Sequence, residues 1–455
     1  MAFFKRDIPT DKIADLVERA EELGDEQQYE KAWEVTKPLR KAQGHQLEAA
    51  EALAHLLEQG VFGIERGLEL AGLLFDAYGD EAWAAAIIGH SAEALHDMRY
   101  LNAAPPDAPI LVSVAKRLEE MLPTLAGTDD ELGALKGLST LARVLGRTWD
   151  EVAERACQRL TELSPDSWAH QYNLGLLYKT RGRFAEGQAA NQRAVELGAG
   201  ENQGVVWNLG ICATGAGDAE TALATWKGLG QTIEMGRFGL PEGGYPSAKV
   251  RLVERPLATR GADDVTQSPG LEETIWIERL SPCHGVVRSA LYYDLGVDYG
   301  DVIMFDGAPI THHTYGEDEV PVFPHLVTLP TDRYRIFEFA GTQEHEGQID
   351  SLSEQLTEDA IVYVHTEQFQ ILCSTCWENS AMDHAEHSGE EHHIVTGKIC
   401  APPTMTESAL IGELDKALES APKLRLFIPD LARAVGDDAR ADVEQRRMSM
   451  ICDSL

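Results

Sequence analysis

Leu174 and Leu209 stand 35 residues apart at the centre of one pattern written twice. The first copy runs Asn173-Leu174-Gly175-Leu176-Leu177-Tyr178, then Gly182, Phe184, Gly187, Ala194 and Leu197. The second runs Asn208-Leu209-Gly210-Ile211-Cys212-Ala213, then Gly217, Ala219, Ala222 and Trp226. A more degenerate copy precedes them, with Ala153, Cys157, Leu160 and Pro165 in the matching places. A unit of this length cannot bury its apolar face alone, so successive copies must stack on one another. The small Gly175 and Gly210 let the first helix of each unit approach the second closely.

Helical periodicity extends over the whole first half of the chain. Ile13, Leu16 and Val17 open one amphipathic run, Tyr29, Ala32, Trp33 and Val35 carry another, and more follow to about Leu229. Gly60, Gly79-Asp80, Pro105-Pro106 and Ser164-Pro165 punctuate them, and helices joined so tightly pack as antiparallel neighbours. After Met235 the texture changes. Residues 236–248, rich in Gly and Pro, read as a linker. Short alternating runs then follow at Lys249–Glu254, Thr274–Leu280, Asp301–Phe305, Pro321–Leu329, Tyr334–Ala340 and Ala360–His365. No long helical pattern interrupts them, which predicts a mainly antiparallel, barrel-like or sandwich-like unit over 249–403. A helical segment opens near Thr406, with Leu410, Leu414 and Leu418 on one face, so 404–455 reads as a C-terminal helical segment. The expected fold class is α+β multidomain.

The repeated pattern resembles the tetratricopeptide repeat family, most specifically over 134–230 and more loosely upstream. The resemblance implies that residues 1–235 form an all-α helical solenoid whose concave groove takes a protein or peptide partner. Some members of that family hold a C-terminal carboxylate with asparagines from the first helix of successive repeats, and Asn173 and Asn208 occupy that place. The basic residues such clamps use are missing from the aligned positions here. Asn173, Asn208 and Tyr178 are the partner-contacting candidates that the resemblance supplies.

Acidic residues outnumber basic ones 75 to 39, a net charge of -36. Such a field repels nucleic acid and anionic membrane and favours a basic partner or plain solubility. The start of the chain lacks the apolar core of a signal peptide. The most apolar run, Ala82 to Ile88, is far too short to cross a bilayer. Seven cysteines, an odd number spread over 455 residues, do not make a disulfide framework. A reducing cytoplasm is the expected setting.

The densest side-chain chemistry lies late in the chain. Cys373-Ser374-Thr375-Cys376 is followed by His384, His387, His392, His393 and Cys400. Thiolates two residues apart in a turn converge on one zinc ion, which needs about four ligands. A hairpin returning Cys400 to the pair would supply a third thiolate and leave one histidine to complete a structural site. A redox dithiol and plain buried thiols are the alternatives. Pro282-Cys283-His284-Gly285 is a second candidate. Adjacent residues point to opposite faces of a strand, so at most one of Cys283 and His284 joins a shared ion.

No catalytic motif is complete. His365-Thr366-Glu367 lies too close to Cys373 for a zinc deaminase, and Gly89-His90-Ser91-Ala92-Glu93 has glutamate where a nucleophile elbow needs glycine. The expectation is therefore a cytoplasmic adaptor or assembly protein with a zinc-stabilised β-rich unit. A metal-dependent enzyme, or a metal-handling protein using its histidine-rich loop, are the other readings.

Overall fold

A computed structural model describes residues 8–42, 44–57, 60–95, 109–253, 271–357, 359–373 and 389–452. The chain is an α+β, multidomain protein. Helices fill the first half, and strands with a few helices fill the second.

In the helical half, α1 (Thr10–Asp25), α2 (Tyr29–Val35), α3 (Lys37–Lys41), α4 (Gln46–Leu57), α5 (Gly63–Tyr78) and α6 (Ala82–His90) lead to a short 3-10 turn, Ser91–Glu93. Then follow α7 (Pro109–Leu125), α8 (Glu131–Leu145), α9 (Asp150–Leu163), α10 (Trp168–Thr180), α11 (Phe184–Ala194), α12 (Gln203–Gly215) and α13 (Ala219–Gly228). Neighbours in sequence pack on one another, α8 on α9, α10 on α11 and α12 on α13.

The repeated residues explain this packing. A Cβ on Gly175 would lie 2.4 Å from the Asn191 side chain, and one on Gly210 would lie 2.6 Å from the Trp226 ring. Both contacts span the same distance in sequence, so the two units are built on one geometry. Gly182 and Gly217, also in register, turn each pair with φ of 69° and 75°, a conformation that L side chains rarely adopt. Asp218 caps α13 by accepting from the Thr221 N–H at 3.1 Å.

The second half opens on a small hairpin, β1 (Ile233–Met235) with β2 (Pro241–Gly243), whose turn and second strand fall in the stretch that composition marks as a linker. The next strands are β3 (Ala248–Val253), β4 (Glu272–Arg279), β5 (His284–Val287), β6 (Val302–Phe305), β7 (Thr311–Tyr315) and β8 (Asp318–Thr328). Their order is β3-β4-β5-β6-β8-β7, and β3 also pairs with β8 in parallel, so five strands close on themselves with β7 added outside. Val250, Ile275, Ile277, Val287, Ile303, Phe305 and Phe323 form the barrel core.

A second, four-stranded antiparallel sheet has the order β10-β11-β9-β12, with β9 Arg335–Gln343, β10 Ile361–Cys373, β11 Gly389–Ala401 and β12 Arg425–Phe427. The last helices, α15 (Glu407–Glu419), α16 (Pro429–Ala434) and α17 (Asp438–Cys452), belong to this sheet, as does the short α14 (Asp350–Ser353). Leu410, Leu414 and Leu431 pack with Phe337, Phe339, Val395 and Ile399. Ile451 of α17 meets Ala340, Leu372, Ile394 and Phe427. The segment from 404 onward is thus a covering layer of the sheet rather than a separate helical piece, because its apolar stripes have no other surface to bury.

Helices and barrel share a core. Phe184, Ile211, Ala222 and Trp226 pack with Cys283, Met304 and Leu326. This seam fixes the cleft described next. No helix among the described residues is long and apolar enough to cross a membrane.

Candidate binding cleft between the helices and the barrel

The first helices of successive units turn one face toward the barrel. Tyr172, Leu176 and Lys179 recur on α10 at helical spacing, and Gly204, Trp207 and Asn208 do so on α12. Arg143 and Val144 come from the end of α8, and Glu93 from the 3-10 turn. The opposite wall is the turn after β6, Asp306-Gly307-Ala308, with Pro324 of β8. Together they enclose a cleft of about 540 Å³. That volume suits a peptide segment or a small molecule.

At its base the Lys179 ammonium, only 4 % exposed, donates to Asn208 Oδ1 at 2.8 Å and pairs with Asp306 Oδ2 at 2.7 Å. Gly307 passes so close to the Trp207 indole that a Cβ there would fall 2.0 Å from Nε1. Trp207 in turn stands edge-on to the buried Trp226, with ring centroids 5.2 Å apart. Arg143 is 9 % exposed and pairs with Glu93, whose side chain is 58 % exposed. Burial lowers the Arg143 pKa from its ordinary value. Behind it, Arg181 reaches Asp150 Oδ1 at 2.5 Å and the Arg143 carbonyl at 3.0 Å, and burial brings its pKa down to about 10.

The cleft therefore offers apolar walls with two cations, each already matched by a carboxylate. The thiols beside it are inert. Burial pushes Cys157 and Cys212 up to about 12, so neither is a nucleophile at neutral pH. Such walls can hold a ligand by contact.

Of the partner-contacting candidates, Asn208 lines the cleft, whereas Asn173 and Tyr178 are not among its walls. Tyr178 is instead tied to the helix behind, its hydroxyl donating to Glu154 at 2.8 Å with Arg183 over its ring at 4.2 Å. A basic residue, Lys179, does line the cleft, but it is paired with Asp306. Arg143, Trp207 and Asp306 escaped sequence reasoning as well. Trp207 and Tyr172 hold equivalent places in the two units, which is the one signal in the sequence by which they could have been found.

The metal candidates fare differently. Cys376, His384 and His387 lie outside the described residues, as does the side chain of Cys373. Cys400 is a correction. In the β10–β11 ladder Cys373 lies opposite Gly389, while Cys400 lies opposite Ile361 at the far end. About twelve residues at roughly 3.3 Å each separate the two ends, some 40 Å, so Cys400 cannot join Cys373 on one ion. Cys400 instead packs with Ala290 and Tyr299, where burial raises its thiol pKa. His393, opposite Phe369, stacks on that ring at 4.6 Å, and His392 lies opposite Gln370.

Cys283 and His284 are both fully buried at the start of β5. His284 Nδ1 is 2.6 Å from Ser281 Oγ, and burial brings the imidazole down to about 4. Burial pushes the Cys283 thiol up to about 11. Among the described residues, these two included, no group of three or more His, Cys, Asp or Glu side chains is placed to hold an ion.

The chain matches no family model, and no curated protein matches it. A solved structure described as "MamA RS-1 ArsTM double mutant" is similar over 41% of this chain and 94% of that one, at 16% identity and a TM-score of 0.30. A likeness that slight carries no argument about function.

Proposed function

We propose that this protein is a cytoplasmic adaptor that captures a short segment of a partner protein in the cleft between its helices and its barrel. In this reading the helical half is a tetratricopeptide-like solenoid. The 35-residue recurrence of Gly175/Gly210, Gly182/Gly217 and Tyr172/Trp207 supports it. The observation that carries the functional reading is the convergence of Tyr172, Leu176, Trp207 and Pro324 around buried Arg143 and Asn208. Large amphipathic side chains beside a few fixed polar groups are the composition of peptide-binding anchors. The net charge of -36 draws a basic partner toward the surface and disfavours nucleic acid. A zinc ion held by Cys373, Cys376 and a histidine of the following loop belongs to the same proposal, as a clamp on the end of the β10–β11 hairpin.

The test is to pan a random peptide library against the full chain and measure the selected peptides by titration. Trp207→Ala and Tyr172→Ala are expected to weaken binding by about tenfold or more, the loss of an anchor worth about 2 kcal/mol. Peptides that bind both variants as tightly as the parent chain would place recognition elsewhere.

A further inference from the structure

The four-stranded sheet ends on β10, and the first part of that strand is covered by the barrel. His365 Nε2 meets the Ala290 carbonyl at 3.0 Å, and its ring lies against Tyr292. Among the described residues no backbone hydrogen bond reaches the outward side of 366–373. A row of open N–H and C=O groups of this length is a template for another strand, and natural edges are blunted by charge, proline or a bulge. Here the bulge falls earlier, between Val364 and Thr366, and Gln368-Phe369-Gln370-Ile371-Leu372-Cys373 carries no charge in a chain of net charge -36.

The side chains add a second observation. Ile371 at 74% and Phe369 at 68% are the most exposed of the large apolar residues described. They alternate with Gln370 and Leu372, which turn inward: Gln370 donates to the Ile451 carbonyl and Leu372 packs with α17. Phe369 and Ile371 thus share the uncovered face.

We infer that this edge is a dimer interface, in which β10 pairs antiparallel with β10 of a second copy of the chain about a two-fold axis at Gln370. The register is self-complementary. It sets Phe369 of each copy directly opposite Ile371 of the other, two aromatic–β-branched cross-strand pairs on one face. It also sets Gln368 against Leu372, so no charges meet across the seam. The charges on this face are Glu367, whose carboxylate accepts from the Gln343 side chain at 2.6 Å and the Gly347 N–H at 3.2 Å, and Glu391, opposite Ile371 on β11. Its counterpart in the second copy would lie three strand spacings away, roughly 14 Å, beyond the roughly 8 Å Debye length at physiological salt. The acidity that keeps copies apart elsewhere is therefore screened here. A second copy fits this edge better than a basic peptide, because the Gln368–Leu372 stretch that would pair carries no carboxylate and the nearest one on the strand, Glu367, already accepts from the Gln343 side chain and the Gly347 N–H.

The experiment is sedimentation equilibrium on the full chain with reductant at 0.15 M salt, across a hundredfold range of concentration. The parent chain is expected to shift reversibly from one to two copies. Ile371→Lys and Phe369→Lys, both at exposed positions, should each raise the dissociation constant at least tenfold while the far-UV spectrum stays unchanged. Backbone amides between 367 and 372 should exchange hydrogen more slowly at high concentration in the parent chain and not in the variants. A parent chain that remains a single copy throughout, or lysine variants that associate as tightly as the parent, would overturn the proposal.

Discussion

The Lys179–Asp306 pair joins α10 to the turn after β6, and its removal is the sharpest probe of how the two halves hold together. Lys179 has a side chain 5% exposed and Asp306 one of 19%, at 2.7 Å. Asp306→Ala strands an ammonium that keeps only Asn208 as a described acceptor. Leaving one member of a buried pair costs about 3 kcal/mol, because the desolvation of the remaining charge is no longer offset. For units of this size that corresponds to a fall in melting temperature of roughly 6–12 °C. Lys179→Met with Asp306→Ala removes both charges, and the double variant should recover most of the loss. The coupling read from the double-mutant cycle should then be at least about 2 kcal/mol. Trp207 packs on Gly307 beside this pair, and the fluorescence change that a Trp207→Phe variant lacks during urea unfolding separates its signal from that of the other seven tryptophans. If Asp306→Ala shifts the midpoint by less than about 1 kcal/mol, or the two single effects simply add, the pair is not buried as described and the reasoning fails.

Two further outcomes follow from the same structure. Burial holds His284 and His325 down to about 4. Both remain neutral in the folded chain while the unfolded chain takes up protons below about 6.5, so their contribution is fully present above that pH and lost as pH falls toward 4. Each is worth up to about 3 kcal/mol, and a urea midpoint that stays constant between pH 7 and 5 would contradict this. Glu131 and Glu154, held low by their hydrogen bonds to Arg159 and Arg183, lose their contribution in the same direction at lower pH, which leaves the upper window to the histidines. Elemental analysis after dialysis should find one zinc per chain, absent from Cys373→Ser/Cys376→Ser; a metal-free parent chain would remove the ion from the proposal.

What the sequence determined by itself was whatever is written locally. The 35-residue recurrence fixed the helix pairs around α10 to α13, because a glycine facing Asn191 or Trp226 and a left-handed glycine in the turn are needs of a single unit. Short runs rich in Val, Ile, Phe and Tyr bounded by turn residues likewise announced β3, β4, β6, β8, β9 and the first part of β10, although β6 is buried at every residue. The tertiary structure decided the rest. Asp306 lies 127 residues beyond Lys179, and no periodicity links them; only the docking of Phe184, Ile211 and Trp226 on Cys283, Met304 and Leu326 brings them together. The same holds for Cys400. The cysteine spacing suggested a return to Cys373, but the ladder runs the length of β11 and carries Cys400 to the opposite end. Composition marked 236–248 as a linker and 404–455 as a C-terminal helical segment, yet the first holds the turn and second strand of a hairpin and the second covers a sheet. Register and docking are properties of pairs of elements. A sequence read one element at a time contains the surfaces that will meet but not which of them do.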